Sequence, residues 1–325
     1  MKILVTGGGG YVGSSLIPKL LTCGHEVTVL DLFLYGSDVL DKHPHLKCIA
    51  GDIRDEAILK KSLEAVDAVI HLACISNDPS FELNPTLGKE VNFDAFEPLV
   101  KLSKSAGVKR FIYASSSSVY GVKSERNVVE TSELEPLTDY SKYKALCEKV
   151  LSTYQSKDFT TVTIRPATVC GYSRRQRLDV VVNILTNHAY HNRKIKIFGG
   201  DQLRPNIHIE DMTNLYVLLL DIEESKIAGK IFNAGGENLK VSEIAEIVKQ
   251  KLGPNIELER TPTDDIRSYH ICSEKLSREL GFTPSRGVLD AVSDLEKAFK
   301  EGLLPNALND SKYFNVKLMN EVNLR

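Results

Sequence analysis

The 325-residue chain has no tryptophan, only 3 methionines and 6 cysteines, and almost no imbalance of charge. The cysteines, Cys23, Cys48, Cys74, Cys147, Cys170 and Cys272, lie far apart with no CxxC pair, which excludes a zinc ribbon and a dense disulfide framework. They read as reduced, mostly buried thiols. Lys and Arg total 41 against 43 Asp and Glu, a net charge of -2. There is therefore no broad basic field to hold a nucleic-acid backbone or an acidic membrane surface, and phosphate must be recognised locally, as on a small ligand. No apolar run reaches the roughly 18 residues of a membrane-spanning helix, and the N-terminus runs from a strand signal straight into glycines with no apolar h-region. The reading is a cytoplasmic protein. His43 and His45 flank Pro44 without carboxylate or cysteine partners, and no metal is expected. His71 and His208 end apolar segments and read as packed residues rather than bases.

What is present is a rhythm. Six short apolar runs, KILVTG, EVTVLD, KCIAGD, AVIHLA, RFIYASS and TVTIRP, alternate with helical patterns over the first 165 or so residues. That alternation predicts an α/β fold, a doubly wound parallel Rossmann-type sheet covered on both faces. The clearest amphipathic stretches run from Asn84 to Ala106 and from Asp139 to Gln155. After Pro166 the elements shorten: a helix from about Leu178 to His191, strands at KIKIFG and PNIHIE, and helices near Glu243 and Val288. The expected division is a dinucleotide-binding domain over 1–167 with returns near 205–235, and a smaller interleaved substrate lobe over 168–204 and 236–325. A ligand between them is the natural expectation.

The first strand runs into Gly7-Gly8-Gly9-Gly10-Tyr11-Val12-Gly13. Following a strand and opening a helix, glycines at 7, 10 and 13 read as a dinucleotide fingerprint: Gly7 takes the tight turn, Gly10 admits a pyrophosphate to the backbone, and Gly13 allows close helix packing. The helix N-terminus adds N–H groups and positive dipole for the phosphates. Asp31 ends the second strand, placed to hold ribose hydroxyls and to repel a 2′-phosphate, and no Arg or Lys follows until Lys42. NAD is favoured over NADP. Asp52 and Ile53 close the third strand and read as adenine contacts, with a plain turn role nearly as good for Asp52.

Tyr140 and Lys144 stand at i, i+4 near the start of a predicted helix, so both project from one face. An ammonium beside a phenol favours the phenolate, allowing the phenol to take a proton near neutral pH. Upstream, Ser115-Ser116-Ser117-Ser118 ends the fifth strand at the edge where ligands of such sheets bind, offering a hydroxyl to a reacting oxygen.

Taken together, GGGGYVG, HLACIS, the Asn92 helix, SSSSVYG, YSKYK, RPATVCG and IFGGDQLRPNIHIEDM resemble the extended short-chain dehydrogenase/reductases of the NAD-dependent epimerase/dehydratase family, over nearly the whole chain. The resemblance implies that Ser116 is the catalytic hydroxyl, Tyr140 the acid/base, and Lys144 the residue that binds the nicotinamide ribose and lowers the tyrosine pKa. It implies cofactor contacts at Tyr11, Val12, Leu72, Ala73 and Asn92. It also implies a substrate diphosphate on Arg204 and Arg267, and a homodimer built through the Asn84–Ala106 and Asp139–Gln155 helices. Ser117 and Arg177 are further substrate candidates. Arg174 and Arg175, in the basic run 173–179, read equally as surface residues or phosphate ligands. That run resembles a subgroup acting on nucleotide-linked hexoses or heptoses of bacterial surface polysaccharides.

Departures from the family pattern narrow the reaction. Members that are 4,6-dehydratases carry an Asp-Glu pair where Ser117 and Ser118 stand, and decarboxylases a glutamate at Ser118; this strand end supplies only hydroxyls. A nucleotide-sugar epimerase acting at C4 through a 4-keto intermediate is the leading expectation. A nucleotide-sugar 4-dehydrogenase or ketoreductase is the rival, and a dehydratase ranks lower. A non-catalytic dinucleotide-binding scaffold ranks low as well, since such scaffolds commonly lose the tyrosine or lysine kept here.

Overall fold

Strand β1 (Lys2–Thr6) shows why the sheet is covered on both faces. Ile3 and Val5 pack on one side with Leu16, Ile17 and Leu20, whereas Leu4 faces Leu59, Leu63 and Val69 on the other. Burying such aliphatic side chains completely contributes roughly 1.5–3 kcal/mol each, which is what near-continuous apolar strands supply. The computed structural model describes residues 1–123, 125, 127–263 and 268–322. β1 is followed by β2 (Glu26–Asp31), β3 (Leu46–Ala50), β4 (Ala68–His71), β5 (Arg110–Ala114) and β6 (Thr160–Pro166). After them come β7 (Thr168–Cys170), β8 (Lys194–Phe198), β9 (Leu203–His208), β10 (Lys230–Ala234), β11 (Glu237–Lys240) and β12 (Glu257–Thr261).

The main sheet has 7 strands in the order β3-β2-β1-β4-β5-β6-β10, all parallel. Strand order reverses between β1 and β4, which opens a crevice at their carboxyl ends. β7, β9 and β11 form a second sheet, β8 and β12 a third. The helix Ile209–Asp221 packs against the helix Gly13–Thr22, carrying Met212, Leu215 and Leu219 into the core beneath β1.

Three expectations are corrected. The stretch Asn84–Ala106 is not one helix: Pro85–Lys89 leads into a π turn at Glu90–Asp94 before Phe96–Ser105. The extra residue turns the Asn92 side chain inward, where Oδ1 accepts from Ile75 N at 2.8 Å and Nδ2 donates to Ile75 O at 3.0 Å. Of the six thiols, only Cys147 and Cys170 are buried. Cys48 is exposed because β3 is the edge strand, and Cys23 because it stands at the C-cap of the helix Gly13–Thr22. The helix expected from Leu178 begins at Val181, since Leu178 N donates to Tyr313 O at 2.9 Å and its side chain belongs to a separate apolar cluster with Leu295 and Phe299. The Asp139–Gln155 expectation stands as the helix Asp139–Tyr154, with Thr138 as its N-cap.

His71 is packed, as expected. It is buried, its Nδ1 lies 2.7 Å from Thr6 Oγ1 and its ring stacks on Tyr113. Burial, with Lys144 adding, pushes its pKa down to about 3, so it is neutral and no base. Among the described residues, no helix is long and apolar enough to cross a membrane, and no cluster of three or more His, Cys, Asp or Glu is placed to hold a metal.

Candidate active site

A cavity of about 670 Å³ opens at the carboxyl edge of the main sheet, where the strand order reverses. Its floor is the glycine loop. Gly7 has φ +76°, and a Cβ there would stand 2.5 Å from Ala73 N, so the first turn passes against the end of β4. At Gly13 a Cβ would meet the Gly8 backbone at 2.4 Å, so this glycine lets the helix close on the loop rather than on the strand. The helix that follows has no side-chain cap at Val12 and no acidic residue in its first turn; Ser14 N and Ser15 N are bonded to Gly10 O and Val12 O, and the positive end of the helix is left for a ligand anion.

Asp31 stands at the end of β2 with its carboxylate fixed: Gly9 N donates to Oδ2 at 2.9 Å and Phe33 N to Oδ1 at 2.7 Å. Each oxygen keeps a further lone pair. Burial raises the Asp31 pKa, opposed by these backbone bonds and by the Arg175 charge. Asp52 and Ile53 line the same end, the Asp52 carboxylate being gripped by Arg54 through Nη2 at 2.8 Å and Nε at 3.1 Å.

Gly10, Tyr11, Val12, Leu72, Ala73, Ser116, Ser117, Tyr140 and Lys144 all line the cavity, as do Arg177 and Arg204. Asn92 does not line it: its amide is spent on Ile75, so it shapes the loop after β4 instead of facing a ligand. Arg267 falls outside the described residues. Tyr11 turns its hydroxyl from the ligand space and donates to Gly171 O at 2.6 Å.

The helix Asp139–Tyr154 presents Tyr140 and Lys144 to the end of β5, on one face as their spacing requires. Ser116 Oγ accepts from Ser118 N at 3.1 Å, and the Tyr140 hydroxyl hydrogen-bonds with Ser116. Lys144 is not among the strongest influences on the tyrosine. Lys144 Nζ donates to Ala114 O at 2.7 Å and lies 5.9 Å from the Tyr140 ring centre. Burial raises the Tyr140 pKa well above 10, with Cys74 and Asp78 adding, while Arg177 and the Ser116 bond oppose it. The phenol is held protonated in this form of the enzyme.

Reasoning from sequence left Arg174 and Arg175 undecided and missed the C-terminal helix. Arg174 and Arg175, adjacent and alike in sequence, part company: Arg174 is ion-paired with Asp41 at the surface, whereas Arg175 is 4% exposed and lines the cavity. Asn315 and Met319, from the C-terminal helix Asn315–Val322, also line it, and nothing in the local pattern marks them. Arg177 pairs with Asp179 at 2.8 Å.

A parallel sheet of this order, a glycine loop opening a helix, an acid ending β2, and a Ser-Tyr-Lys set over the same crevice define an NAD-dependent enzyme of the extended short-chain dehydrogenase/reductase class. Residues 3–235 match the model of the NAD dependent epimerase/dehydratase family, and the chain belongs to that family. A UDP-glucose 4-epimerase of Lactobacillus helveticus is 28% identical over 313 residues, spanning 90% of this chain and 94% of that protein. The UDP-glucuronic acid 4-epimerase of Bacillus cereus, solved with UDP-glucuronic acid and NAD, is 26% identical with a TM-score of 0.84, over 93% of this chain and 99% of that one. A dTDP-glucose 4,6-dehydratase of Streptomyces venezuelae, solved with NAD, is 25% identical with a TM-score of 0.85, over 95% of this chain and 100% of that one. The uncapped helix end beside the glycine loop and the fixed Asp31 carboxylate fit NAD.

Proposed function

We propose that the protein is a nucleotide-sugar 4-epimerase that works through a transient 4-keto sugar. The observation that carries this reading is the meeting of Ser116, Tyr140 and Lys144 in one cavity with the glycine loop, beside a strand end that bears Ser117 and Ser118 and no acid. When bound, NAD supplies the acceptance and return of a hydride. The chain's own part is positional and protonic. Tyr140 removes the proton of the 4-hydroxyl and later gives it back, and Ser116 holds the reacting oxygen by a hydrogen bond. Lys144 orients the cofactor ribose. Gly7, Gly10, Val12, Asp31, Asp52, Ile53, Leu72 and Ala73 seat the dinucleotide, while Ser117, Arg177 and Arg204 face the sugar nucleotide. Dehydration would need an added acid and base at the strand end, where only hydroxyls stand.

The same reading divides the chain into a dinucleotide-binding domain, 1–167 with returns near 205–235, and a substrate lobe, 168–204 and 236–325. Lys196 and Gln202 on the cavity wall, from the latter stretches, support that division. A homodimer belongs to it as well, supported by exposed Leu146 on the helix Asp139–Tyr154; a monomeric mass in light scattering removes that part.

The test is to incubate the purified protein with UDP-, GDP-, CDP- and dTDP-hexoses, UDP-glucose and UDP-glucuronic acid first because relatives are named for them. Absorbance at 340 nm and product stereochemistry are followed together. Inversion at C4 without net NADH is the expected result. Stoichiometric NADH with a keto sugar makes it a dehydrogenase, and loss of water with a 6-deoxy product makes it a dehydratase.

A further inference from the structure

The cavity wall beside the glycine loop contains a buried cation with no direct ion-pair partner among the described residues. Arg175 is 4% exposed, yet among the described residues no carboxylate forms an ion pair with it, and its Nε has no hydrogen-bond partner. Its guanidinium lies 3.4 Å over the Tyr35 ring centre, and Nη2 donates to Asn315 Oδ1. Nearby, Arg177 keeps a buried Nη2 that also lacks a partner. Burial lowers the Arg175 pKa to about 10, and the like charge of Arg177 adds to this while Tyr35 and Asp179 oppose. Uncompensated buried charge costs several kcal/mol, and two adjacent guanidinium groups facing one cavity point to an anion from outside the chain.

Position says which anion. The segment carrying Arg175 is seated on the open end of the helix Gly13–Thr22: Ser173 Oγ lies 2.7 Å from Ser14 Oγ and donates to Tyr11 O at 2.8 Å, and Arg175 N donates to Ser14 Oγ at 3.1 Å. Arg175 therefore stands next to the helix end, near enough to Asp31 for its charge to act on that carboxylate. Arg204, by contrast, belongs to β9.

Asn315 fixes the arrangement. Buried at the start of the C-terminal helix, it accepts from Tyr35 OH at 3.2 Å as well as from Arg175, donates through Nδ2 to Ser76 Oγ at 2.9 Å, and donates its backbone N–H to Asp179 Oδ2 at 2.8 Å. One residue thus ties the loop after β2, the loop after β4 and the 173–179 segment across the cavity, with Met319 lining it one turn later.

We propose that Arg175, held by Tyr35 and Asn315, binds the diphosphate of NAD beside the glycine loop, and that the C-terminal helix is the clasp that keeps the dinucleotide from leaving. The inference rests on NAD as the cofactor but not on which reaction follows, so its failure and that of the epimerase reading are separable.

The experiment compares the full-length protein with Arg175→Gln, Arg175→Lys, Asn315→Ala and a chain ending at Phe314. NAD that co-purifies is released by acid and counted per protomer, the NAD dissociation rate is measured by exchange against labelled NAD, and stripped protein is titrated with NAD, ADP and adenosine. Arg175→Gln is expected to weaken NAD and ADP by about tenfold or more, on the scale of a lost hydrogen bond to a charged group, and adenosine by less than about twofold. Arg175→Lys falls between. Asn315→Ala and the shortened chain are expected to release NAD at least about tenfold faster. Unchanged ADP affinity in Arg175→Gln with a raised KM for the sugar nucleotide would place Arg175 on the substrate instead. Equal losses for ADP and adenosine would make its role structural, and unchanged release from the Asn315→Ala protein would remove the clasp.

Discussion

Replacing Tyr140 with phenylalanine is expected to lower turnover by at least about a hundredfold, the lower end of what a positioned acid/base contributes, while NAD content and melting temperature stay as they are. The change removes one oxygen from a ring that lines the cavity and leaves its packing, so stability is a poor readout and chemistry a good one. The direction of the Tyr140 shift adds a second signature. Burial holds the phenol protonated near neutrality, Cys74 and Asp78 add to that, and the Ser116 bond and Arg177 oppose it. The proton-accepting phenolate is the minor form, and its share grows with pH. The oxidative half-reaction of the native enzyme, followed in single turnover, is therefore expected to speed up as pH rises from about 6 to 9, and Tyr140→Phe to lose that slope with the rate. Near-normal turnover in the variant, or a rate that falls across that range, would remove Tyr140 as the acid/base.

How far the residues alone carried this picture depends on whether a feature is local. The strands were legible because each is a short apolar run bounded by turn residues. Their parallel pairing followed from the helices between them. The glycine loop and Asp31 were legible because motif and strand end coincide. What failed was set by contacts distant in sequence. The π turn at Glu90–Asp94 brings Asn92 to Ile75, a contact that no helical period records. The exposure of Cys48 depends on β3 being the edge strand, a property of strand order. Arg174 and Arg175 are indistinguishable until the fold buries one of them, and Asn315 reads as a surface amide until its four partners arrive from other segments. The i, i+4 spacing rightly put Tyr140 and Lys144 on one face, but spacing does not say that Nζ reaches the Ala114 carbonyl or that burial outweighs its charge.

The helix that carries Tyr140 is itself held by a buried ion pair, and breaking that pair is expected to cost the fold about 3–5 kcal/mol. Glu148 lies one turn beyond Lys144 and receives Arg165 Nη2 at 2.6 Å and Nε at 3.0 Å, with side-chain exposures of 4% and 3%. Ser115 Oγ donates to the same carboxylate. Arg165 Nη1 donates to Tyr120 OH at 2.8 Å, and Tyr120 OH to Asn233 Oδ1 at 2.7 Å, so the network joins the helix to β5, β6 and β10. Glu148→Ala leaves Arg165 charged, buried and without its carboxylate. The midpoint of urea unfolding should fall by the corresponding amount, and a loss under about 1 kcal/mol, the scale of an exposed pair, would show that the pair is not buried as described. Replacing both partners, Glu148→Leu with Arg165→Met, removes the stranded charge and is expected to recover most of the stability. Glu148→Leu alone separates a desolvation penalty from a simple loss of packing: it fills the space but still strands Arg165, so it is expected to recover little of the stability.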